Sequence, residues 1–133
     1  MTEQAQGERL RPHPEPRFAA AQHRFDLAAV AGRLRQECQA GEDGHRQETL
    51  YKRGPTTVAL FVFGHLTCLS EHRTNGVVVI EVLRGHLQVT AEDQVHDLRV
   101  GHLLVLAPNV RNKTVAYEET EMLLTVHLEA AAG

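Results

Sequence analysis

Residues 76–106 read GVVVIEVLRGHLQVTAEDQVHDLRVGHLLVL, and this stretch decides the fold. Short runs rich in valine and leucine alternate with glycine and polar residues, which is typical of strands joined by tight turns in an antiparallel sheet. The run at 77–80 is apolar at every position, so we expect its strand to be covered on both faces. The spacing predicts four strands here, at 76–84, 86–91, 94–99 and 102–106.

The same pattern continues on both sides of this stretch. It predicts five further strands, at 48–52, 56–63, 65–70, 113–117 and 121–128. Short strands separated by glycine, proline and asparagine indicate an antiparallel sandwich or barrel. At 133 residues the chain is long enough for one core of ordinary size and too short for two. We therefore predict a single domain over residues 25–133, with its barrel at 48–128.

An amphipathic helix is predicted before the barrel, over residues 26–39. One apolar stripe recurs there at steps of three and four, formed by Leu27, Val30, Leu34 and Cys38. Asp26 can accept hydrogen bonds from the free N–H groups of the first turn, which stabilises a helix by about 1 kcal/mol. We expect the stripe to pack on the outside of the barrel or across a dimer interface.

The first 24 residues have a different character. They contain Pro12, Pro14 and Pro16, many polar residues and no sustained hydrophobic period. Such a composition predicts a flexible lead-in over residues 1–24.

Composition excludes several classes of function. The net charge is −3, and the 14 basic residues are scattered among acidic ones, so we expect no nucleic-acid partner. No apolar run approaches the roughly 20 residues that a membrane-spanning helix needs, so we expect no membrane partner. The two cysteines form no C-x-x-C pair, and the N-terminal residues show no secretory pattern. These features predict a cytoplasmic protein.

Two predicted strands are apolar on both faces, at 56–63 and 76–84. One face of each belongs to the core, and the other must contact a second sheet, the helix or another subunit. Because apolar outer faces of this extent mark interaction surfaces, we expect a homodimer.

Two stretches, 72–85 and 101–112, resemble the motifs of the cupin family. Motif one of that family runs G-x5-H-x-H-x3-4-E-x6-G, and motif two runs G-x5-P-x-G-x2-H-x3-N. His72 keeps the first histidine of motif one, and Gly85 and Gly101 match glycines of the two motifs. The resemblance implies an all-β fold, the cupin-type double-stranded β-helix or jelly-roll barrel, with one N-terminal amphipathic α-helix. It indicates a small single-domain cupin of the cupin 2, RmlC-like kind.

The metal-binding motifs are degenerate. The resemblance implies a metal held by three imidazoles and one carboxylate, and His72 is the only one of these ligands retained. The changed positions are Thr74 for the second histidine, Val78 for the glutamate, Ala107 for the proline, Asn109 for the turn glycine and Asn112 for the last histidine. Because most of the ligand field is lost, we expect no metal. The alternative is a divalent Mn, Fe, Ni or Zn ion with ligands that the motifs do not identify.

The changed motif positions still predict a pocket. Val78 and Ile80 would line an apolar interior, with His72, Thr74 and Asn112 as polar groups near its mouth. Such a site is typical of small organic ligands. The alternative is that His72 is a structural residue beside Asn112.

The other histidines carry less weight. His127 alternates with Met122, Leu124 and Val126 along the last strand, so it should face away from the apolar interior. Four others lie beside predicted turns or strand ends, where we expect the imidazole to face solvent: His65, His86, His96 and His102.

Three functions remain open at this point. The first is a metal-free cupin module that binds or senses a small molecule, with little or no catalysis. The second is a metal-dependent cupin enzyme, a dioxygenase or isomerase, that uses His72. The third is a structural or partner-binding barrel whose interior is filled by side chains.

Overall fold

The computed structural model describes residues 17–37 and 44–130. In this part of the chain one helix precedes nine strands. The elements are α1 (Leu27–Glu37), β1 (His45–Arg53), β2 (Thr56–Phe63), β3 (Thr67–His72), β4 (Gly76–Arg84), β5 (His86–Ala91), β6 (Gln94–Arg99), β7 (Leu103–Leu106), β8 (Asn112–Ala116) and β9 (Thr120–Leu128). The predicted bounds of β2, β4, β5 and β6 match the structure, and the other strands shift by one to three residues.

The strands form two sheets. Their orders are β1-β2-β9-β4-β7 and β3-β8-β5-β6, and every strand pair is antiparallel. Strands that are neighbours in sequence often lie in different sheets, so the chain crosses between the sheets as a jelly roll does. The predicted all-β fold with a single helix is therefore confirmed.

The core lies between the two sheets and is filled by side chains. Alternate residues of each strand point inward, because successive side chains on a strand face opposite ways. The five-stranded sheet contributes Ala59, Phe61, Phe63, Val78, Ile80, Val82, Leu106 and Met122, and the four-stranded sheet contributes Leu87, Val89, Ala91, Leu98 and Ala116. All are buried and form one apolar core between the sheets.

Two turn positions of the resemblance have left-handed backbone. Gly85 joins β4 to β5 at φ +92°, and a Cβ there would lie 2.3 Å from the carbonyl oxygen of Glu119. A side chain at Gly85 would therefore meet both strain and a clash. Asn109, matched to the turn glycine of motif two, has φ +67°. Asparagine tolerates this conformation better than most other residues, so the turn survives the replacement.

Helix α1 begins where the sequence predicts. The Asp26 Oδ1 atom accepts a hydrogen bond from the Ala29 N–H at 3.1 Å, which confirms the N-cap. The helix is described as far as Glu37, and the last two residues of the predicted helix, Cys38 and Gln39, lie outside the described residues. Its apolar face packs on the outer face of the five-stranded sheet, where Ala31 and Leu34 are buried with Leu60 and Val62. The expected packing outside the barrel is confirmed.

The predicted lead-in divides into two parts. Residues 1–16 lie outside the described residues, whereas the segment 17–24 is described and contacts strand β1. Phe18 is buried, and its ring makes an edge-to-face contact with Tyr51 at 5.7 Å between centroids. The Arg17 guanidinium donates a hydrogen bond to the Thr49 carbonyl oxygen at 2.8 Å. These contacts attach the segment before α1 to the barrel.

Helix α1 does not have the length and hydrophobicity of a membrane-spanning helix. Within residues 17–37 and 44–130, no helix is both long enough and apolar enough to span a bilayer.

Leu34 provides a test of the helix–sheet contact. Replacing it by Asp places a carboxylate where the side chain is 0% exposed. We expect Leu34→Asp to lower the free energy of unfolding by roughly 3–5 kcal/mol, because apolar contacts are lost and a charge is buried. Thermal and urea unfolding followed by circular dichroism measure this. The control is Ala28→Asp, on the exposed side of the first helical turn, where an acidic residue costs nothing. Equal stability of the two variants would contradict this packing.

Candidate functional site

The two most polar residues of the predicted pocket lie side by side. His72 ends β3 and pairs with Asn112, the first residue of β8. Asn112 is only 4% exposed, and its Nδ2 atom donates a hydrogen bond to the Val110 carbonyl oxygen at 3.1 Å. A buried amide with a backbone partner is well satisfied, so Asn112 also has a structural role.

His72 and Thr74 lie at the rim of the barrel. His72 is exposed, and its Nδ1 lies 3.0 Å from the Ser70 carbonyl oxygen. Since a carbonyl oxygen can only accept, Nδ1 carries the proton and donates it. The Thr74 carbonyl oxygen accepts a hydrogen bond from the Asn109 N–H at 2.8 Å. This bond ties the loop after β3 to the turn before β8, so the two motif segments meet at one end of the barrel.

Val78 and Ile80 are buried among the inward side chains of the two sheets. The structure thus brings His72 and Asn112 together, holds Thr74 in the adjoining loop, and places Val78 and Ile80 in the core.

An open cleft lies on another side of the barrel, between the edges of the two sheets. Its volume is about 630 Å³, and it runs between β6 with its preceding turn and β7 with its following turn. Its apolar lining residues are Ala91, Leu104, Val105, Leu106, Ala107 and Val110, and its polar lining residues are Glu92, Asp93, Gln94 and His96. The five predicted pocket residues are absent from both sets.

The cleft nevertheless adjoins the second motif. Ala91, in its wall, is the cross-strand partner of Asn112. Val110, also in its wall, accepts the hydrogen bond of the Asn112 side chain. Asn112, at the motif-two position, therefore contacts two residues of the cleft wall, Ala91 and Val110, without lining the cleft itself.

His96 is the residue of this cleft that our sequence analysis missed. It pairs with Val89, whose side chain is in the core, so His96 points to the inner side of β6 and is only partly exposed. The expectation of a solvent-facing ring is wrong for this residue. Its alternation with Leu98 carried the signal, because both must face the same side of the strand.

The remaining histidines divide between exposed and paired positions. His65 and His102 are exposed, as expected. His127 is also exposed, and its Nδ1 lies 3.0 Å from Thr56 Oγ1, which confirms that it faces away from the core. The His86 side chain is mostly buried and hydrogen-bonded through Nε2 to Asp97, so the solvent-facing expectation is wrong there too.

Glu92 is held in place at the mouth of the cleft. It has φ +54°, its N–H donates to the Arg111 carbonyl oxygen at 2.8 Å, and its carboxylate accepts from the Arg111 N–H at 3.0 Å. That N–H bond has the largest effect and lowers the pKa of Glu92 below its usual value. Desolvation opposes it in part, and the charge of the Arg111 guanidinium, 3.5 Å away, lowers the pKa further. The mouth of the cleft therefore carries a fixed negative charge.

The motif positions do not fit a cupin metal. They offer one imidazole, one hydroxyl, one amide and the apolar Val78. Divalent transition metals need several imidazole, thiolate or carboxylate ligands. Among the histidines, cysteines and acidic residues of the described ranges, no group of three is arranged to hold a metal ion.

The charge on Glu92 can be tested by titration. Because its folded-state pKa lies below 4.5, its ionised form stabilises the fold above that pH, and this stabilisation is lost as the pH falls through the lowered pKa. We expect Arg111→Ala to raise the pKa partway, since the backbone N–H bond remains. Carboxyl-detected NMR measures it, with Lys113→Ala as the control that leaves it unchanged. A wild-type midpoint at or above 4.5 would show that Arg111 does not hold this carboxylate.

Comparisons with known proteins address the fold. No model of a protein family matches the sequence, and no curated protein matches it. A conserved protein of unknown function from Streptococcus pyogenes is 21% identical with a TM-score of 0.67, over 86% of this chain and 94% of that one. A cupin superfamily protein from Desulfitobacterium hafniense DCB-2 is 17% identical with a TM-score of 0.68, over 85% and 96%.

An RmlC-like cupin from Shewanella frigidimarina NCIMB 400 is 16% identical with a TM-score of 0.62, over 66% of this chain and 79% of that one. At such identities the likeness concerns the fold alone. It agrees with the two antiparallel sheets and with the left-handed turns at the motif positions. This chain therefore has the fold of a small cupin, of the cupin 2 and RmlC-like kind.

Proposed function

We propose that this protein is a metal-free small-molecule binding or sensing module, and that its ligand binds in the cleft between β6 and β7. The observation that carries the proposal is the cleft itself, which is lined by both apolar and polar side chains and adjoins the motif-two position. Its volume of about 630 Å³ lies within the range of roughly 300–1,000 Å³ usual for ligand sites.

The lining describes the kind of ligand. Leu104, Leu106 and Val110 offer apolar contact, and His96 and Gln94 offer hydrogen bonds from the facing strand. A ligand that fits both has a small apolar body and at least one polar group at its edge. Glu92 is preorganised by Arg111, so it can accept a hydrogen bond from the ligand without a large loss of side-chain entropy.

The site at His72 supports catalysis less well. A backbone carbonyl, that of Ser70, orients the His72 ring, whereas catalytic imidazoles are commonly oriented by a carboxylate. Thr74 and Asn112 add only neutral groups, and Val78 is in the core. A metal-dependent dioxygenase or isomerase would need ligands beyond these positions.

A second candidate is a partner-binding barrel without a small-molecule ligand. The observation that favours it is the burial of Val78, Ile80 and Val82 in the apolar core between the two sheets. A ligand screen distinguishes the two candidates.

For either function we propose a cytoplasmic location, supported by the free and exposed thiol of Cys68, which suits a reducing compartment.

The ligand site is tested with a library of small organic fragments and amide chemical-shift mapping by NMR. We expect fragments that bind to shift the amides of the cleft-lining residues. Ala107→Trp should abolish this binding, because the indole fills the cleft from an exposed position. His72→Ala is the matched variant at the motif position, and binding should survive it.

Two outcomes would contradict the proposal. If His72→Ala abolishes binding and Ala107→Trp does not, the ligand site is the motif-derived pocket of His72, Thr74 and Asn112. If the library yields no fragment that shifts the cleft amides, the partner-binding barrel is favoured.

Metal content is a separate prediction. We expect elemental analysis of protein purified without a metal-affinity tag to find no stoichiometric Mn, Fe, Ni or Zn, because the motif positions lack the ligands. Asn112→His should gain measurable affinity for a divalent metal, since it places a second imidazole beside His72 on the neighbouring strand. About one metal per wild-type chain, lost in His72→Ala, would move the metal-dependent enzyme to first place.

A further inference from the structure

Strand β7 leaves an unusual edge on the five-stranded sheet. It pairs with β4 on one side, and within the described ranges no strand pairs with its other side. All four of its residues are apolar, with the sequence LLVL. Leu103 and Val105 face outward and are 58% and 56% exposed. An exposed apolar edge of this kind is a template for pairing with another strand.

The other three edge strands carry features that oppose such pairing. Strand β1 has the sequence HRQETLYKR, with four charged residues and a bulge between Thr49 and Tyr51. Strand β3 has a bulge between Leu69 and His72, and β6 carries Asp97 and Arg99. Charges and bulges are the usual protection of sheet edges. Strand β7 has neither.

The apolar surface continues from β7 onto its neighbour. On the outer face Val79 of β4 lies beside Val105, in a row that α1 does not cover. The β7 edge also borders the open cleft, which is lined by Leu104, Val105 and Ala107. The edge is therefore accessible from solvent.

We propose that two copies of this chain pair through β7, antiparallel about a two-fold axis at Leu104, so that the two five-stranded sheets become one continuous sheet. In this register Leu103 lies opposite the partner's Val105 on the outer face, and Leu104 lies opposite the partner's Leu104 on the inner face. Directly opposed residues of an antiparallel pair point to the same face, so each exposed apolar side chain meets another.

The symmetry of the strand explains why the partner is a second copy. A two-fold axis at Leu104 sets Leu103, Leu104 and Val105 against the same three residues of the other copy, and β7 contains no charge that would be brought against its like. The pairing also places the two clefts on the same side of the joined sheet, because the axis is perpendicular to it. This inference does not depend on what the cleft binds.

The test is the molar mass in solution, measured by light scattering and sedimentation over a concentration series. We expect the wild type to approach twice the 14.8 kDa mass of the chain. Val105→Lys should return the protein to the monomer mass, because two lysines are brought onto the joined outer face beside apolar neighbours. The matched control is Val95→Lys, on edge strand β6, where Val95 is 57% exposed. It should remain a dimer. Circular dichroism confirms that both variants stay folded.

The register is tested by exchanging the apolar contact for an ion pair. In the double variant Leu103→Glu/Val105→Lys, each glutamate lies opposite a lysine of the other copy, so the dimer should return. A double variant that stays monomeric overturns this register. A wild-type monomer at every concentration, a dimeric Val105→Lys, or a Val95→Lys that also dissociates overturns the β7 interface.

Discussion

The packing of inward side chains between the two sheets is the interaction on which the rest of this structure depends. Strands β2 to β9 contribute residues to one shared interior, so the register of each of these strands is constrained by its neighbours. The turns must reverse the chain so that the apolar side of the next strand faces the core. Gly85 takes a left-handed conformation where the Glu119 carbonyl leaves no room for a side chain. Asn109 takes one at the position where the cupin motif has glycine.

The motif positions bear on binding. The positions that hold a metal in the cupin motifs are here His72, Thr74, Val78 and Asn112. Val78 belongs to the core, and the Asn112 amide hydrogen-bonds to the backbone. An open cleft lies between the edges of β6 and β7. Asn112 adjoins it, because its side chain donates a hydrogen bond to the carbonyl oxygen of Val110 in the cleft wall.

The outer face of the five-stranded sheet is covered by α1 in one part and open in another. Helix α1 covers the outer face near β1 and β2, where Leu34 packs on Leu60 and Val62, and its cluster reaches Leu83 of β4 but does not include Val79 or strand β7. The cleft and the unprotected strand edge both occur at β7.

Local sequence determined the strands, the helix cap and the faces of most residues, because these depend on periods of two and 3.6 and on turn residues. The outward position of His127 follows from its neighbours in the same strand. Sequence could not determine the cleft at His96 or the exposed edge of β7. These depend on which strands end each sheet and which edges face each other, and strand order is a property of contacts between residues far apart in the chain. The tertiary structure alone decided them.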